Sequence, residues 1–170
     1  MMIEYARTRD NARPPVRSNP SDAGLDVFYS PEDASVAALT IAPGESKIVP
    51  TGLRFGVPHG YMLQVMNRSG VAAKRSLVVG AHVVDSGYDG EVFVNLHNIG
   101  TEPQVVEAFA KIAQVVMIPV VPFRALESQG KDLYNLLNAN SVSKLSIFLG
   151  SALSPLPNSS SSCRLTLPSN

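Results

Sequence analysis

Between Lys47 and Asn98 the chain never runs far without a turn residue, a spacing that leaves room for strands and little for helices. Four runs of β-type residues, Lys47-Ile48-Val49, Leu53-Arg54-Phe55-Gly56-Val57, Tyr61-Met62-Leu63-Gln64-Val65-Met66 and Glu91-Val92-Phe93-Val94-Asn95-Leu96-His97, are divided by Pro58-His59-Gly60, Asp85-Ser86-Gly87 and Asp89-Gly90. In the last run Val92, Val94 and Leu96 share one face and Glu91, Phe93, Asn95 and His97 the other, as a half-buried strand requires. An all-β sandwich or barrel is therefore expected. One short helix is predicted at Gly70 to Arg75. Val115-Val116-Met117-Ile118 reads as a strand buried on both faces, with Pro119 and Pro122 confining its continuation to an edge or an irregular stretch.

A chain of 170 residues fits one domain, and at that size roughly 70% of the unfolded surface is buried on folding. Lys plus Arg and Asp plus Glu both number 14, so the formal net charge is zero. No general attraction to nucleic acid or to an acidic membrane follows, and any phosphate binding must be local. The single cysteine, Cys163, excludes an internal disulfide, and the first residues lack the apolar run of a signal peptide, so a cytoplasmic location is expected. The longest apolar run, Val115 to Val121, is interrupted by Pro119 and falls well short of the ~20 residues a membrane span needs. His59, His82 and His97 are dispersed without companion ligands, which argues against zinc.

Composition changes beyond Arg124. Residues 1–124 are expected to form the organised unit and 125–170 an irregular, partly helical extension, with a weakly helical stretch at Leu133-Tyr134-Asn135-Leu136-Leu137 and a disordered tail over Ser154 to Ser162. Asn11 to Pro20, with three prolines, reads as an extended connection.

Chemistry is suggested by four segments taken together: Asp22-Ala23-Gly24-Leu25-Asp26, Asn67-Arg68-Ser69-Gly70, Val83-Val84-Asp85-Ser86-Gly87-Tyr88-Asp89-Gly90-Glu91 and Lys111-Ile112-Ala113-Gln114. Each alone has a plain reading: a strand start, a helix capped by Ser69, an Asx-turn at Asp85, a polar strand position at Gln114. Tyr88 alone reads equally well as a cross-strand aromatic in a hairpin. Their order and spacing, with the surrounding phrases Asp85 to Asn98 and Lys111 to Pro119, resemble the first four motifs of the trimeric deoxyuridine triphosphatases (dUTPases) across about residues 20 to 122.

That resemblance implies a distorted β-barrel or jelly-roll sandwich that hydrolyses dUTP to dUMP and pyrophosphate. Asp85 would be the general base, taking a proton from the water that attacks the α-phosphorus. Arg68, Ser69, Gly70 and Gln114 would hold the phosphates, the guanidinium offering a planar fork and Gly70 a close backbone approach. Asp26 would support Mg2+ through water, which suits a hard cation that keeps several of its own waters. Tyr88 would pack under the deoxyribose and exclude a 2′-hydroxyl, while the hairpin backbone at Val84 and beyond reads the uracil edge. The resemblance also implies a homotrimer, with each site assembled from neighbouring subunits.

Three departures accompany the likeness. The family's Gly-rich fifth motif has no counterpart, and Ser146-Ile147-Phe148-Leu149-Gly150-Ser151 is at most a faint echo of it. Loss of that arm would expose the site to water. His82 stands where the family commonly has glycine, so that its side chain narrows the pocket or changes which base it accepts. Phe109-Ala110-Lys111 replaces Gly-Asp-Arg, keeping the cation and losing the turn. Two rivals follow from the same phrases. A deoxycytidine triphosphate deaminase would need a glutamate where Asn95 stands, and an amide cannot shuttle protons. A non-catalytic nucleotide-binding relative would bind without turnover.

Overall fold

The computed structural model describes residues 2–127, and within them the turn residues named above fall between strands as expected. In chain order the elements are β1 (Glu4–Arg7), β2 (Leu25–Phe28), β3 (Ala38–Ile41), β4 (Ser46–Pro50), β5 (Leu53–Gly56), β6 (Tyr61–Met66), α1 (Ser69–Arg75), β7 (Leu77–Val79), β8 (Val83–Val84), β9 (Phe93–Asn98), β10 (Gln104–Glu107) and β11 (Lys111–Pro119). All of these elements lie within one compact unit, which ends at Phe123. The expectations for Leu133 to Leu137, Ser146 to Ser151 and Ser154 to Ser162 fall outside the described residues.

The strands pair antiparallel in four small sheets: β1 with β5, β10 with β3, a four-stranded sheet in the order β2-β11-β6-β8, and a three-stranded one in the order β4-β9-β7. Their inner faces meet in one apolar core that includes Val27, Ile41, Leu53, Leu63, Leu96, Val106 and Val115. This is a jelly-roll-like all-β fold with one short helix. Alternation along β9 works as the sequence pattern requires: Val94 and Leu96 are 0% and 1% exposed, whereas Phe93 is 40% exposed. The ladder begins at Phe93, two residues later than the alternation does, because Glu91 is committed to contacts outside the sheet and Val92 bonds Leu53 across to β5.

Three local expectations are corrected. Ser69 does not cap α1; the N-cap is Arg68, in extended conformation and without a side-chain cap bond, and Ser69 is the first helical residue. Its hydroxyl is thereby left available to a ligand. Val115 is buried, but Val116, Met117 and Ile118 are only half-buried. The reason is register: β2 ends opposite Val115 at Leu25, so the rest of β11 has β6 alone as a partner. The turn before β11 is not lost either. Ala110 N–H bonds the Glu107 carbonyl at 3.1 Å, and Phe109 takes the left-handed conformation (φ 65°) that glycine would adopt freely. Arg13 lies over both Phe109 and Phe28, 5.1 and 5.6 Å from their ring centroids, and this stacking offsets part of the backbone strain.

Candidate active site

Two strand ends and one helix start converge on a polar cavity of about 430 Å³ lined by Ser18, Asn19, Asp22, Ala23, Asp26, Arg68, Ser69, Gly70 and Gln114. The register explains the meeting: Gln114 of β11 sits opposite Asp26 of β2 on one side and Met66 of β6 on the other. Arg68 follows β6 by two residues, so its side chain reaches back across the strand ends. Gly24 makes this approach possible, since a Cβ there would come within 2.8 Å of Gln114 Oε1 and 2.9 Å of the Val115 carbonyl. Gly70 has the opposite character: a Cβ there would meet nothing within 4 Å, and its flank is open cavity.

Asp26 organises the charge. Its Oδ1 accepts Arg68 Nε at 2.7 Å, and its Oδ2 accepts Ser18 Oγ at 2.9 Å and pairs with Lys111 Nζ at 2.7 Å. Burial alone would raise this carboxyl; the bonds from Lys111, Ser18 and Arg68 together outweigh it and hold its pKa below the ordinary aspartate value. Within this triad one carboxylate sits between two cations, and a second carboxylate, Asp22, on the same cavity wall brings the local charges into balance. Because Asp26 engages Nε, no described protein acceptor bonds the two Nη groups of Arg68, and a planar fork of donors remains for an anion. Gln114 Nε2 donates to the Asn67 carbonyl at 3.0 Å, which fixes the amide beside Arg68.

A second cavity, of about 210 Å³, is lined by Val83, Val84, Asp85, Tyr88, Glu91, Val92 and Phe93. Asp85 opens a tight turn closed by Tyr88 N–H to the Asp85 carbonyl at 3.2 Å, with Gly87 in the left-handed region (φ 91°) that this turn demands. The turn is thus held by backbone rather than by an Asx side-chain bond. Asp85 is exposed, and Ser86 Oγ lies 3.3 Å from His59 Nδ1. Tyr88 folds back across Gly90, where a Cβ would fall 2.6 Å from its hydroxyl, and donates to the Glu91 carbonyl at 2.9 Å. His82 does not line this cavity; its Nδ1 donates to the Val65 carbonyl at 2.8 Å, so the ring lies against β6.

Asp26, Arg68, Ser69, Gly70 and Gln114 therefore come together, as do Val84, Asp85 and Tyr88, but the two groups line different cavities of one chain. Asp85 follows Val84, which faces Leu63, whereas Gln114 faces Met66 across the other edge of β6. Four residue rises along β6 and two strand spacings across it put Asp85 and Gln114 roughly 15 Å apart at the backbone. Ser18, Lys111, Glu91 and Phe93 were not picked out by their residue patterns. No local signal marks Ser18 or Phe93, whereas the charge of Lys111 in its motif and of Glu91 after Asp89-Gly90 offered a hint. Asn95, the position a deaminase would fill with glutamate, is half-buried on β9, where its carbonyl accepts Gly80 N–H at 2.9 Å.

Fold and cavities together define an all-β protein with a polar, arginine-bearing cleft and a separate aromatic hairpin carrying a carboxylate. Within that class, the sequence profile of the dUTPase family matches residues 10–142, past the last described residue. A deoxyuridine 5′-triphosphate nucleotidohydrolase of Gloeobacter violaceus is 43% identical over 115 residues, 66% of this chain and 76% of that protein. One from Clostridium novyi is 33% identical over 129 residues, 75% of this chain and 87% of that protein. The chain belongs to the dUTPase family. Among solved structures, the dUTPase from phage phi11 of S. aureus superimposes with a TM-score of 0.68 at 22% identity, covering 79% of this chain and all of that one. A D95N mutant of that phage enzyme, with a TM-score of 0.67, is described as revealing the coordination of a structural Mg(II) ion.

Proposed function

We infer that the chain hydrolyses dUTP to dUMP and pyrophosphate. The observation that carries this reading is the convergence of Asp26, Arg68, Ser69, Gly70 and Gln114, from three separate segments, on one polar cavity with an arginine fork turned into it. Arg68 binds the phosphate chain through its free Nη fork, Ser69 offers an uncommitted hydroxyl, and Gly70 admits phosphate close to the backbone. Gln114, fixed on the Asn67 carbonyl, stands beside them as a polar neighbour of the phosphates. Asp85 accepts the proton of the water that attacks the α-phosphorus in line, and assistance of this kind is worth roughly 10²–10⁴-fold in rate. Tyr88 supports the deoxyribose, and the hairpin backbone at Val84 faces the base.

Asp26 fits an indirect role toward Mg2+. No cluster of three or more acidic, histidine or cysteine side chains is present among the described residues. An ion that takes one or two carboxylates and substrate phosphates while keeping several waters does not need one. Three hydrogen-bond partners already occupy Asp26, leaving one lone-pair direction for a water. Bound at the phosphates, Mg2+ would neutralise their charge.

Asp85 and Arg68 line separate cavities at opposite ends of β6, an arrangement that suits a homotrimer in which one copy's hairpin completes another's phosphate cavity. Residues 1–124 form the catalytic unit, and 125–170 an extension to which no site residue is assigned. No described helix is long and apolar enough to cross a membrane; a cytoplasmic role in nucleotide metabolism belongs to the same proposal. The test is pyrophosphate release from dUTP, dCTP, dTTP and UTP in magnesium beside Asp85→Asn. Selective dUTP turnover, lost in Asp85→Asn while dUTP still binds, is the expected result. Binding without turnover in the unaltered protein would overturn the enzyme reading.

A further inference from the structure

Residues 85 to 91 of the hairpin belong to no ladder: β8 ends at Val84 and β9 begins at Phe93. The backbone of Val92 holds the far end, its N–H on the Leu53 carbonyl at 2.8 Å and its carbonyl accepting Thr51 Oγ1, and Arg54 Nη1 reaches the Asp89 carbonyl at 3.4 Å; the residue beside the cavity, Glu91, is fastened by its side chain. Its Oε1 accepts the Gly52 N–H at 2.7 Å, its Oε2 accepts Thr8 Oγ1 at 2.9 Å and Arg9 Nη1 at 3.0 Å, and Arg9 Nη2 closes the fork on Oε1. The paired side chains are only 18% and 12% exposed for Arg9 and Glu91, so the carboxylate is withdrawn from water as well as saturated. Three segments distant in sequence are cross-linked in this way. Thr8 N–H bonds the Gly52 carbonyl at 2.8 Å, so the anchor itself is tied down.

Glu91 also touches the cavity directly. It lines the space beside Asp85 and Tyr88, and its main-chain carbonyl is the acceptor for the Tyr88 hydroxyl at 2.9 Å. Displacement of Glu91 would therefore carry the tyrosine ring with it. A half-buried ion pair is a weak source of stability, because desolvation opposes the attraction. Arg9 meets a further cost, since its Nε is buried without any partner among the described residues. Such a pair is better suited to fixing geometry than to holding the fold together.

We propose that Arg9 and Glu91 are positioning residues that clamp the nucleoside hairpin, holding Tyr88 rigid so that it rejects a 2′-hydroxyl. The proposal rests on the dUTP-hydrolysing reading and deepens it: discrimination between deoxyribose and ribose is set by the N-terminal segment, through Glu91, and not by the tyrosine alone. Arg9→Met removes the fork and keeps the apolar stem; Arg9→Lys keeps the charge and loses the planar geometry.

The experiment compares full-length unaltered protein with both variants by hydrogen–deuterium exchange over residues 85–92 and by steady-state turnover of dUTP and UTP in magnesium. In Arg9→Met, hairpin exchange should quicken about tenfold and the dUTP-to-UTP ratio of kcat/KM should fall at least fivefold, chiefly through KM, with Arg9→Lys between. A merely structural pair would lower the melting temperature and leave that ratio unmoved. Unchanged hairpin exchange, or faster exchange with an unchanged ratio, overturns the clamp. Should Arg9→Met fail to fold, Thr8→Val removes one bond of the same cluster and must shift exchange and ratio in the same direction. Absence of dUTP turnover in the unaltered protein sinks the functional reading and the selectivity claim with it; normal turnover with an unmoved ratio sinks the clamp alone.

Discussion

Asp26→Asn is the perturbation that most directly tests how the phosphate cavity is built. The amide keeps one acceptor oxygen and puts an N–H donor where the other stood. Whichever way it flips, the donor faces Arg68 on one side or Ser18 and Lys111 on the other. A net hydrogen bond to a charged group contributes about 1.5–3 kcal/mol, and partial solvent access trims the remaining Coulomb loss, so the fold should lose about 2 kcal/mol. For a unit of this size that corresponds to a fall in Tm of roughly 6–10 °C. The pH dependence supplies a sign. Because the folded carboxyl is held below its ordinary value, its contribution is fully present above the unfolded pKa of about 3.9 and disappears as pH falls through the lower folded value. The gap between wild type and variant should therefore be full at pH 7 and close below pH 4. Thermal melts from pH 2.5 to 7, with KM for dUTP at pH 7, measure both effects, and KM should rise about tenfold as Arg68 loses its orientation. Melting within 1 °C of wild type at pH 7, with KM unchanged, would refute the claim that Asp26 holds the arginine.

Gly24→Ala forces a methyl group against the Gln114 amide and the Val115 carbonyl; overpacking of this kind typically costs about 1–3 kcal/mol, and KM for dUTP should rise with it, as thermal melts and turnover would show. At Phe109 the left-handed backbone makes two variants diverge: Phe109→Ala keeps the strain and loses the stacking with Arg13, costing about 1–2 kcal/mol in urea unfolding, whereas Phe109→Gly releases the strain and should cost less than half as much. Tyr88→Phe removes the bond to the Glu91 carbonyl while keeping the ring, and should leave kcat for dUTP within about threefold yet raise hairpin amide exchange.

How legible these features were in the sequence depended on whether a single strand or turn could express them. Alternation along Val92 to His97 announces which face is buried, because the side-chain period of a strand is two and one face meets the core. Glycine turns likewise divided the runs where the strands divide, and α1 lies one residue from its expected start. What escaped was set by partners distant in sequence. The half-burial of Val116 to Ile118 follows from where β2 stops, and β2 lies some ninety residues earlier. Phe109 concealed its turn because the residue type argues against a left-handed backbone, and only the packing of Arg13 reveals how that backbone is tolerated. Ser18 belongs to a stretch that reads as a plain connection and Arg9 to residues without a pattern of their own, until Asp26 and Glu91 come to meet them.

The same division runs through the site. The hairpin cavity is built by residues 83 to 93, which lie together in the sequence, whereas the cavity around Arg68 gathers residues 18 to 26, 68 to 70 and 114, and both that gathering and the relation between the cavities depend on strand order. In the sheet β2-β11-β6-β8, Asp26, Arg68 and Gln114 gather at one end of β6 and Asp85 lies at the other, and opposite edges of the sheet separate them further. A base must come within hydrogen-bond reach, about 3 Å, of the water it activates, so a single substrate has to span both cavities or the cavities of two copies have to face each other. Either the hairpin of a second copy faces this copy's Arg68, or one chain's own Asp85 and Arg68 serve the same substrate. Mixing Asp85→Asn with Arg68→Ala protein separates these outcomes. If sites form between copies, mixed assemblies contain some sites with both residues intact and recover activity that neither variant has alone.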